Sequence, residues 1–267
     1  TVASIATVLV SILSTKELEP TPEELAELRA HKTSFAGAVK EIWEAIVEMP
    51  TQLRKLALVY LFQWYAMNCY WQYVTLSVGE SVFGATQDLK TSDPTQYASL
   101  YEQATAWTGL VNGAYNVVTF CVAFALVALA KRHGAKLVHT TCLLLAAVGL
   151  AFFPHIADRY LLFVPIIGLG IAWASIMGVP YIMAVRMIPS TRYGVYMGII
   201  NMMIVIPMLI QTLTFGVIYH WIGSHPGNAI TFAAVFLALA AIAMLWIKEP
   251  PTVKDVDDLS VPVPAEN

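Results

Sequence analysis

Six long apolar segments constrain the fold of this chain more than any other feature of its sequence. They cover residues 54–76, 105–130, 136–153, 160–185, 194–221 and 229–247. A helix needs about 20 apolar residues, in a range of about 17–25, to cross a bilayer. Because backbone groups inside a bilayer must be hydrogen-bonded within their own segment, these segments predict membrane-spanning helices rather than strands. The sequence therefore indicates an all-α integral membrane fold.

The composition agrees with this fold class. Hydrophobic residues make up 58% of the chain and charged residues 12%, whereas a soluble domain is about 45–50% apolar and about 25% charged. The net charge of −3 argues against a nucleic-acid surface. The three cysteines lie far apart inside apolar stretches, which fits packing residues and neither a zinc site nor a disulfide framework.

The remaining stretches complete a plan of four parts. Residues 1–13 form an apolar run too short to cross a bilayer, which we interpret as the end of a transmembrane helix that begins outside the chain. Residues 14–52 predict a cytoplasmic connector, with an amphipathic helix over 34–49 that suits either the membrane surface or the ends of the spans. Residues 53–248 predict a six-helix transmembrane bundle. Residues 249–267, rich in proline and aspartate, predict a disordered cytoplasmic tail.

Basic residues predict the orientation of the bundle. Eight lie at one set of segment ends, against Lys90 and Arg159 at the other. The eight are Arg54, Lys55, Lys131, Arg132, Lys136, Arg186, Arg192 and Lys248. Cytoplasmic loops carry the excess of Lys and Arg, so the connector and the C-terminus are expected in the cytoplasm. Residues 80–104 then form an outward-facing loop, and we expect a multi-pass protein of the plasma membrane or, in a bacterium, the inner membrane.

Polar and aromatic side chains share faces of several segments. In the first, Trp64, Asn68, Trp71, Gln72 and Thr75 follow helical spacing along one face. Polar groups facing lipid are costly, so such a face predicts either the lining of a solute cavity or hydrogen bonds between helices. The same two interpretations apply to a stripe in the second segment. The candidate substrate-binding residues are Trp64, Asn68, Trp71, Gln72, Asn112, Asn116, Trp173 and Gln211.

Trp173 stands among small residues of the fourth segment, where it suits either ring stacking or packing. The small residues themselves, Gly168, Gly170 and Gly178 among them, predict close helix approach. Acidic residues are absent from the middle of every segment, and Glu80 lies at the outer end of the first. His139, close to a segment end, is expected to be an ordinary interfacial histidine. No nucleophile–base set, metal-ligand cluster or phosphate loop is present, so we expect a protein that is not an enzyme and has no catalytic residue, metal or cofactor.

Three stretches of the chain carry recognisable motifs. Residues 129–136 read LAKRHGAK, residues 180–201 read PYIMAVRMIPSTRYGVYMGIIN, and WYA at 64–66 is followed by GESVFG at 79–84. These stretches resemble the major facilitator superfamily and, within it, the sucrose-carrier branch with its glycoside–cation symporter relatives. The first resembles a degenerate copy of the superfamily's cytoplasmic loop motif, the second the loop and helix start typical of the branch, and the third its seventh helix. Leu76 stands where the branch carries an Asp.

This resemblance implies a twelve-helix carrier built from two six-helix halves, of which this chain is the C-terminal half. It implies a proton-coupled symporter of a disaccharide such as sucrose or maltose, with the coupling carboxylates in the missing N-terminal half. The expected partners are the sugar, a proton or other cation, the lipid bilayer and that N-terminal half. Two alternatives stay open: a facilitator carrier for a non-sugar solute, suggested by Leu76, and a half-transporter that dimerises.

Overall fold

The chain forms an all-α structure. The computed structural model describes residues 2–14, 35–188 and 192–248, and every regular element within them is helical. The predicted disordered tail and residues 15–34 of the predicted connector lie outside the described residues. The α-helices are α1 (Val2–Ser14), α2 (Phe35–Val47), α3 (Thr51–Phe83), α4 (Gln87–Ser92), α5 (Pro94–His133), α6 (Ala135–Phe152), α7 (Phe163–Met187), α8 (Tyr193–Trp221) and α9 (Pro226–Leu245), and a 3-10 turn covers Phe153–His155.

The described residues divide into two compact units, one ending at Glu44 and the other beginning at Ala45. The first contains α1 and most of α2. Large apolar side chains of α1, such as Ile12 and Leu13, are exposed. On α2, Val39 and Trp43 are exposed one turn apart, and Lys40 and Glu44 form an ion pair of 3.7 Å. Apolar and charged side chains are therefore both exposed on this part of α2.

The second unit is a helical bundle. Within the described residues, five helices are long and apolar enough to cross a membrane: α5, α6 with its 3-10 turn, α7, α8 and α9. α3 has 33 residues but is not among the five, because polar side chains such as Gln63, Asn68 and Gln72 interrupt its apolar sequence. Those polar positions are where the candidate site lies.

α3 is the central helix of this unit. It packs against α9, α8 and α5, while α7 packs against α6 and α5, and α9 also packs against α6. α7 and α8 make little contact with each other. Aromatic and polar side chains of α3 contact both of these helices. Residues more than 100 positions apart in the sequence are therefore in contact there.

Close helix approach depends on particular glycines. A Cβ on Gly168 would lie 2.8 Å from the Leu145 carbonyl oxygen, and one on Gly170 would lie 2.7 Å from the Tyr115 oxygen. The prediction of close approach is therefore confirmed for Gly168 and Gly170. It is wrong for Gly178, where a Cβ would lie within 4 Å of nothing in the described part of the chain.

The expected loop at residues 80–104 is wrong, because most of it is helical. α3 continues to Phe83, where Gly84 adopts the left-handed conformation (φ 72°) that commonly ends a helix. α5 then begins at Pro94, about eleven residues earlier than the apolar segment. The Asp93 carboxylate accepts hydrogen bonds from the backbone N–H groups of Thr95 and Gln96, so it caps the helix, with proline at its first position.

Two of the basic residues that predict the orientation, Lys55 and Lys136, lie at the same end of the bundle. Lys136 Nζ donates to the carbonyl oxygens of Leu245 and Ile247 at the end of α9, over 2.6 and 2.9 Å. Lys55 Nζ donates to the Trp246 oxygen over 3.0 Å. Positive charge beside the C-terminal carbonyls of a helix is favourable. These lysines therefore hold the end of α9 in place.

Candidate functional site

Three tryptophans meet where α3 and α7 approach each other. The ring centroids of Trp64 and Trp173 are 5.9 Å apart, those of Trp71 and Trp173 are 5.4 Å apart, and both pairs are edge-to-face. Trp64 and Trp71 lie 6.5 Å apart. Such geometry is favourable for aromatic pairs. We call these three residues the tryptophan cluster.

Members of the tryptophan cluster differ in exposure. Trp64 is buried, whereas Trp71 and Trp173 are half-buried and keep part of their ring surface accessible. The Trp64 indole nitrogen has no hydrogen-bond partner within the described residues. Buried indole N–H groups usually have one. The cluster therefore combines accessible ring surface with an unsatisfied donor.

Three amide side chains form a hydrogen-bond network between α3 and α8. Asn68 Nδ2 donates to Gln211 Oε1 over 2.5 Å, and Gln211 Nε2 donates to Gln72 Oε1 over 3.2 Å. Asn68 Nδ2 also lies 3.1 Å from the Met208 carbonyl oxygen. Gln211 is fully buried and Gln72 is exposed. We call Asn68, Gln72 and Gln211 the amide network; it runs from the interior of the bundle to its surface.

Asn112 and Asn116 lie on α5 and make other contacts. Tyr70 Oη donates to Asn112 Oδ1 over 2.8 Å, joining α3 to α5. Asn116 is exposed, and its Nδ2 donates to the Asn112 carbonyl oxygen one turn earlier, over 2.8 Å. Their hydrogen bonds thus run to Tyr70 and along α5 rather than to the amide network. The structure brings six of the eight candidate residues into two groups, one between α3 and α7 and the other between α3 and α8, and leaves these two on α5.

The prediction that His139 is an interfacial histidine is wrong. Its side chain is fully buried between three helices. Its Nδ1 lies 2.8 Å from Ser175 Oγ on α7, and its Nε2 lies 3.1 Å from Gln63 Oε1 on α3. A neutral imidazole has one donor and one acceptor, which suits a carbonyl oxygen on one side and a hydroxyl on the other.

The position of Gln63 in the sequence could have revealed the hydrogen-bonded group of His139, Ser175 and Gln63. Gln63 precedes Trp64 and lies off the polar face of α3, so its amide needed a hydrogen-bond partner on another helix. Distance from a segment end is a poor guide to burial here, because α3 and α7 both reach the ring of His139.

The tryptophan cluster and the amide network offer ring faces, amide donors and amide acceptors. Pockets for small ligands commonly combine aromatic walls with a few polar groups of this kind. Within residues 2–14, 35–188 and 192–248, no group of three His, Cys, Asp or Glu side chains is placed to hold a metal ion.

Comparison with known proteins gives the family. The sequence profile of the Major Facilitator Superfamily matches residues 56–264, which is most of the chain. A search among curated proteins found no match. The matched region covers the bundle, with its five apolar membrane-length helices and the candidate site. The chain therefore belongs to the Major Facilitator Superfamily, and it is a multi-pass membrane protein of the secondary-transporter type.

Proposed function

We propose that the chain supplies one wall of the cavity of a sugar transporter, which moves a disaccharide such as sucrose or maltose together with a proton. The observation that supports this is the tryptophan cluster beside the amide network. Sugar rings present apolar faces that pack on aromatic side chains, and hydroxyl groups that need both donors and acceptors. Trp71, Trp173 and Gln72 are the most accessible members of the two groups, and they would meet the sugar first.

The exposed polar residues support a cavity over a lipid-facing surface. Gln72 and Asn116 are exposed within long helices, and an amide facing lipid would be costly. The amide network also joins α3 to α8, so it holds those helices together. The two roles are compatible: the buried Asn68 and Gln211 hold the exposed Gln72 toward the solute.

The wider architecture follows from the same proposal. The chain would be the C-terminal half of a twelve-helix carrier, with α1 as the end of its sixth span and residues 53–248 as six further spans. The basic residues support an orientation with the connector and C-terminus in the cytoplasm. The membrane would be the plasma membrane or, in a bacterium, the inner membrane.

A second candidate function is a facilitator for a non-sugar solute, with no coupling ion. Leu76 favours it, because the resembling branch carries an aspartate at that position. Coupling to protons needs an ionisable group whose protonation changes with the solute. Uptake that is insensitive to an uncoupler would favour this candidate.

Uptake of labelled sucrose and maltose by cells that express the complete protein tests the proposal. We expect uptake that a proton uncoupler abolishes. Trp71→Ala and Trp173→Ala should each weaken the apparent affinity about tenfold, since an aromatic contact contributes about 0.5–1.5 kcal/mol beyond its buried area and 1.4 kcal/mol is tenfold. Trp43→Ala, which changes an exposed tryptophan of α2, is the matched control. Absence of uptake of any sugar would contradict the proposal.

A further inference from the structure

A polar cavity of about 250 Å³ lies at the C-terminal end of α3. It opens between α3, the 3-10 turn and the start of α9, and none of the eight candidate substrate-binding residues lines it. Its polar lining consists of Ser77, Glu80, Ser81, His155, His225, Asn228 and Thr231. Since one water needs about 10–15 Å³ of such space, the cavity is large enough for several waters. A hydrated ion or a small organic ligand would fit.

Three side chains of this lining donate hydrogen bonds within the protein. Ser81 Oγ donates to the Ser77 carbonyl oxygen over 2.9 Å, and Thr231 Oγ1 donates to the Gly227 oxygen over 3.2 Å. Asn228 Nδ2 donates to the Ile222 oxygen over 2.6 Å. A hydroxyl that donates its proton retains its oxygen lone pairs. What these three side chains offer a ligand is therefore chiefly oxygen acceptors.

Glu80 adds negative charge to these acceptors. One of its oxygens lies 3.2 Å from His225 Nδ1, and its side chain is 30% exposed. A carboxylate has about four lone-pair sites, so the contact with His225 leaves most of them available. Among the described residues, Glu80 is the one acid in the lining of this cavity.

Ser77 lies in the wall of the cavity, one helical turn before Ser81. Its side chain is only 1% exposed, and its hydroxyl, which has no hydrogen-bond partner within the described residues, is closed off from the cavity. The oxygens that the cavity can offer a ligand are therefore those of Glu80, Ser81, Asn228 and Thr231, whose side chains keep part of their surface accessible.

We infer that this cavity binds a small monovalent cation through oxygen ligands. Carboxylate, hydroxyl and amide oxygens are the ligands that hard cations prefer. A protonated primary amine would use the same acceptors, because it has three donors and no acceptor. A transition-metal site is disfavoured, since no three described His, Cys, Asp or Glu residues are placed to hold a metal.

Thermal unfolding of the purified protein in detergent tests this inference. Tm is measured against increasing sodium, potassium or methylammonium chloride, with N-methylglucamine chloride keeping the ionic strength constant. A ligand that binds the folded state raises Tm in a concentration-dependent way. We expect sodium or methylammonium to do so, and the comparison between them distinguishes an alkali ion from an organic ammonium.

Variants identify the site. Glu80→Gln should weaken the apparent cation affinity at least tenfold, and Ser81→Ala should weaken it less while retaining the Glu80–His225 contact. Asp88→Asn, which neutralises an exposed acid on α4 outside the cavity, is the matched control and should respond as the wild type does. If Glu80→Gln does not fold, the Ser81→Ala titration decides.

Two results would overturn the inference: no cation raises the Tm of the wild type, or the variants retain its full response. The experiment measures binding by stability and not by uptake. Its outcome is therefore independent of whether the transported solute is a sugar.

Discussion

At the scale of single residues, His139 is the side chain whose environment differs most from its position in the sequence. Its ring joins Ser175 and Gln63 across three helices, and all three side chains are fully buried. Gln63 Nε2 is itself without a partner among the described residues. Because these side chains are buried and depend on one another for hydrogen bonds, loss of any one of them should lower the stability of the fold.

Replacement of His139 by leucine should destabilise the protein. The change leaves Ser175 and Gln63 buried without their partner, and a buried unsatisfied group costs about 1–3 kcal/mol. We expect the free energy of unfolding to fall by about that amount, measured by denaturation in detergent. In the double variant with Ser175→Ala, the loss should be smaller than the sum of the two single losses, because the residues share one contact.

His133→Leu is the matched control for this experiment. His133 is exposed at the end of α5, and surface substitutions usually change stability by less than about 0.5 kcal/mol. Equal effects of His139→Leu and His133→Leu would contradict a structural role for the buried cluster.

At the scale of helices, α6 and α7 can approach each other closely because glycines, which have no Cβ, lie at their contacts. Gly168 approaches the backbone at Leu145, and Gly149 approaches the backbone at Pro165, where an added Cβ would lie 2.6 Å from the carbonyl oxygen. Carbonyl oxygens within a helix cannot move as a flexible side chain can. The position of α7, and with it that of Trp173, therefore depends on these glycines.

Alanine at Gly168 should separate α6 from α7. Overpacking of this kind costs about 1–3 kcal/mol, so we expect a clear fall in Tm. Gly178→Ala is a control on the same helix, because its added Cβ would meet nothing within 4 Å. Since alanine is favoured over glycine in a helix by about 0.5–1 kcal/mol, this control should be neutral or slightly stabilising. Indistinguishable Tm values for the two variants would refute the packing argument.

Helix ends are the feature that hydropathy located least well. The apolar segment beginning near residue 105 predicts only the part of α5 that is suited to a bilayer, whereas the helix begins at Pro94. Its first turns are polar and exposed, and the Asp93 cap stabilises them. Capping residues mark where a helix starts, and apolar length marks where it is buried in lipid.

At the scale of the whole molecule, the orientation predicted from the basic residues can be tested by labelling. In a cysteine-free background, Asp88→Cys places a thiol on the exposed surface of α4, and His133→Cys places one at the end of α5. If the connector is cytoplasmic, a membrane-impermeant maleimide should label Asp88→Cys in intact cells. It should label His133→Cys only after permeabilisation. The reverse pattern would overturn the orientation.

The sequence by itself determined the fold class and the approximate position of the helices. Apolar length and helical spacing are local properties, and a bilayer requires backbone hydrogen bonds to be closed within each segment. The same spacing also placed Trp64, Asn68, Trp71 and Gln72 on one face of α3. Among the described residues, α5 to α9 are accordingly long and apolar enough to cross a membrane, whereas the polar side chains of α3 keep it outside that group.

Only the tertiary structure decided which side chains meet. Trp173 and Gln211 contact α3 from positions more than 100 residues away, and Asn112 pairs with Tyr70 instead. His139 is buried because α3 and α7 cover it. Such contacts depend on how distant helices pack, which is a property of surface shape, of the glycines that permit close approach and of hydrogen bonds between helices. Neither hydropathy nor spacing within one helix contains that information.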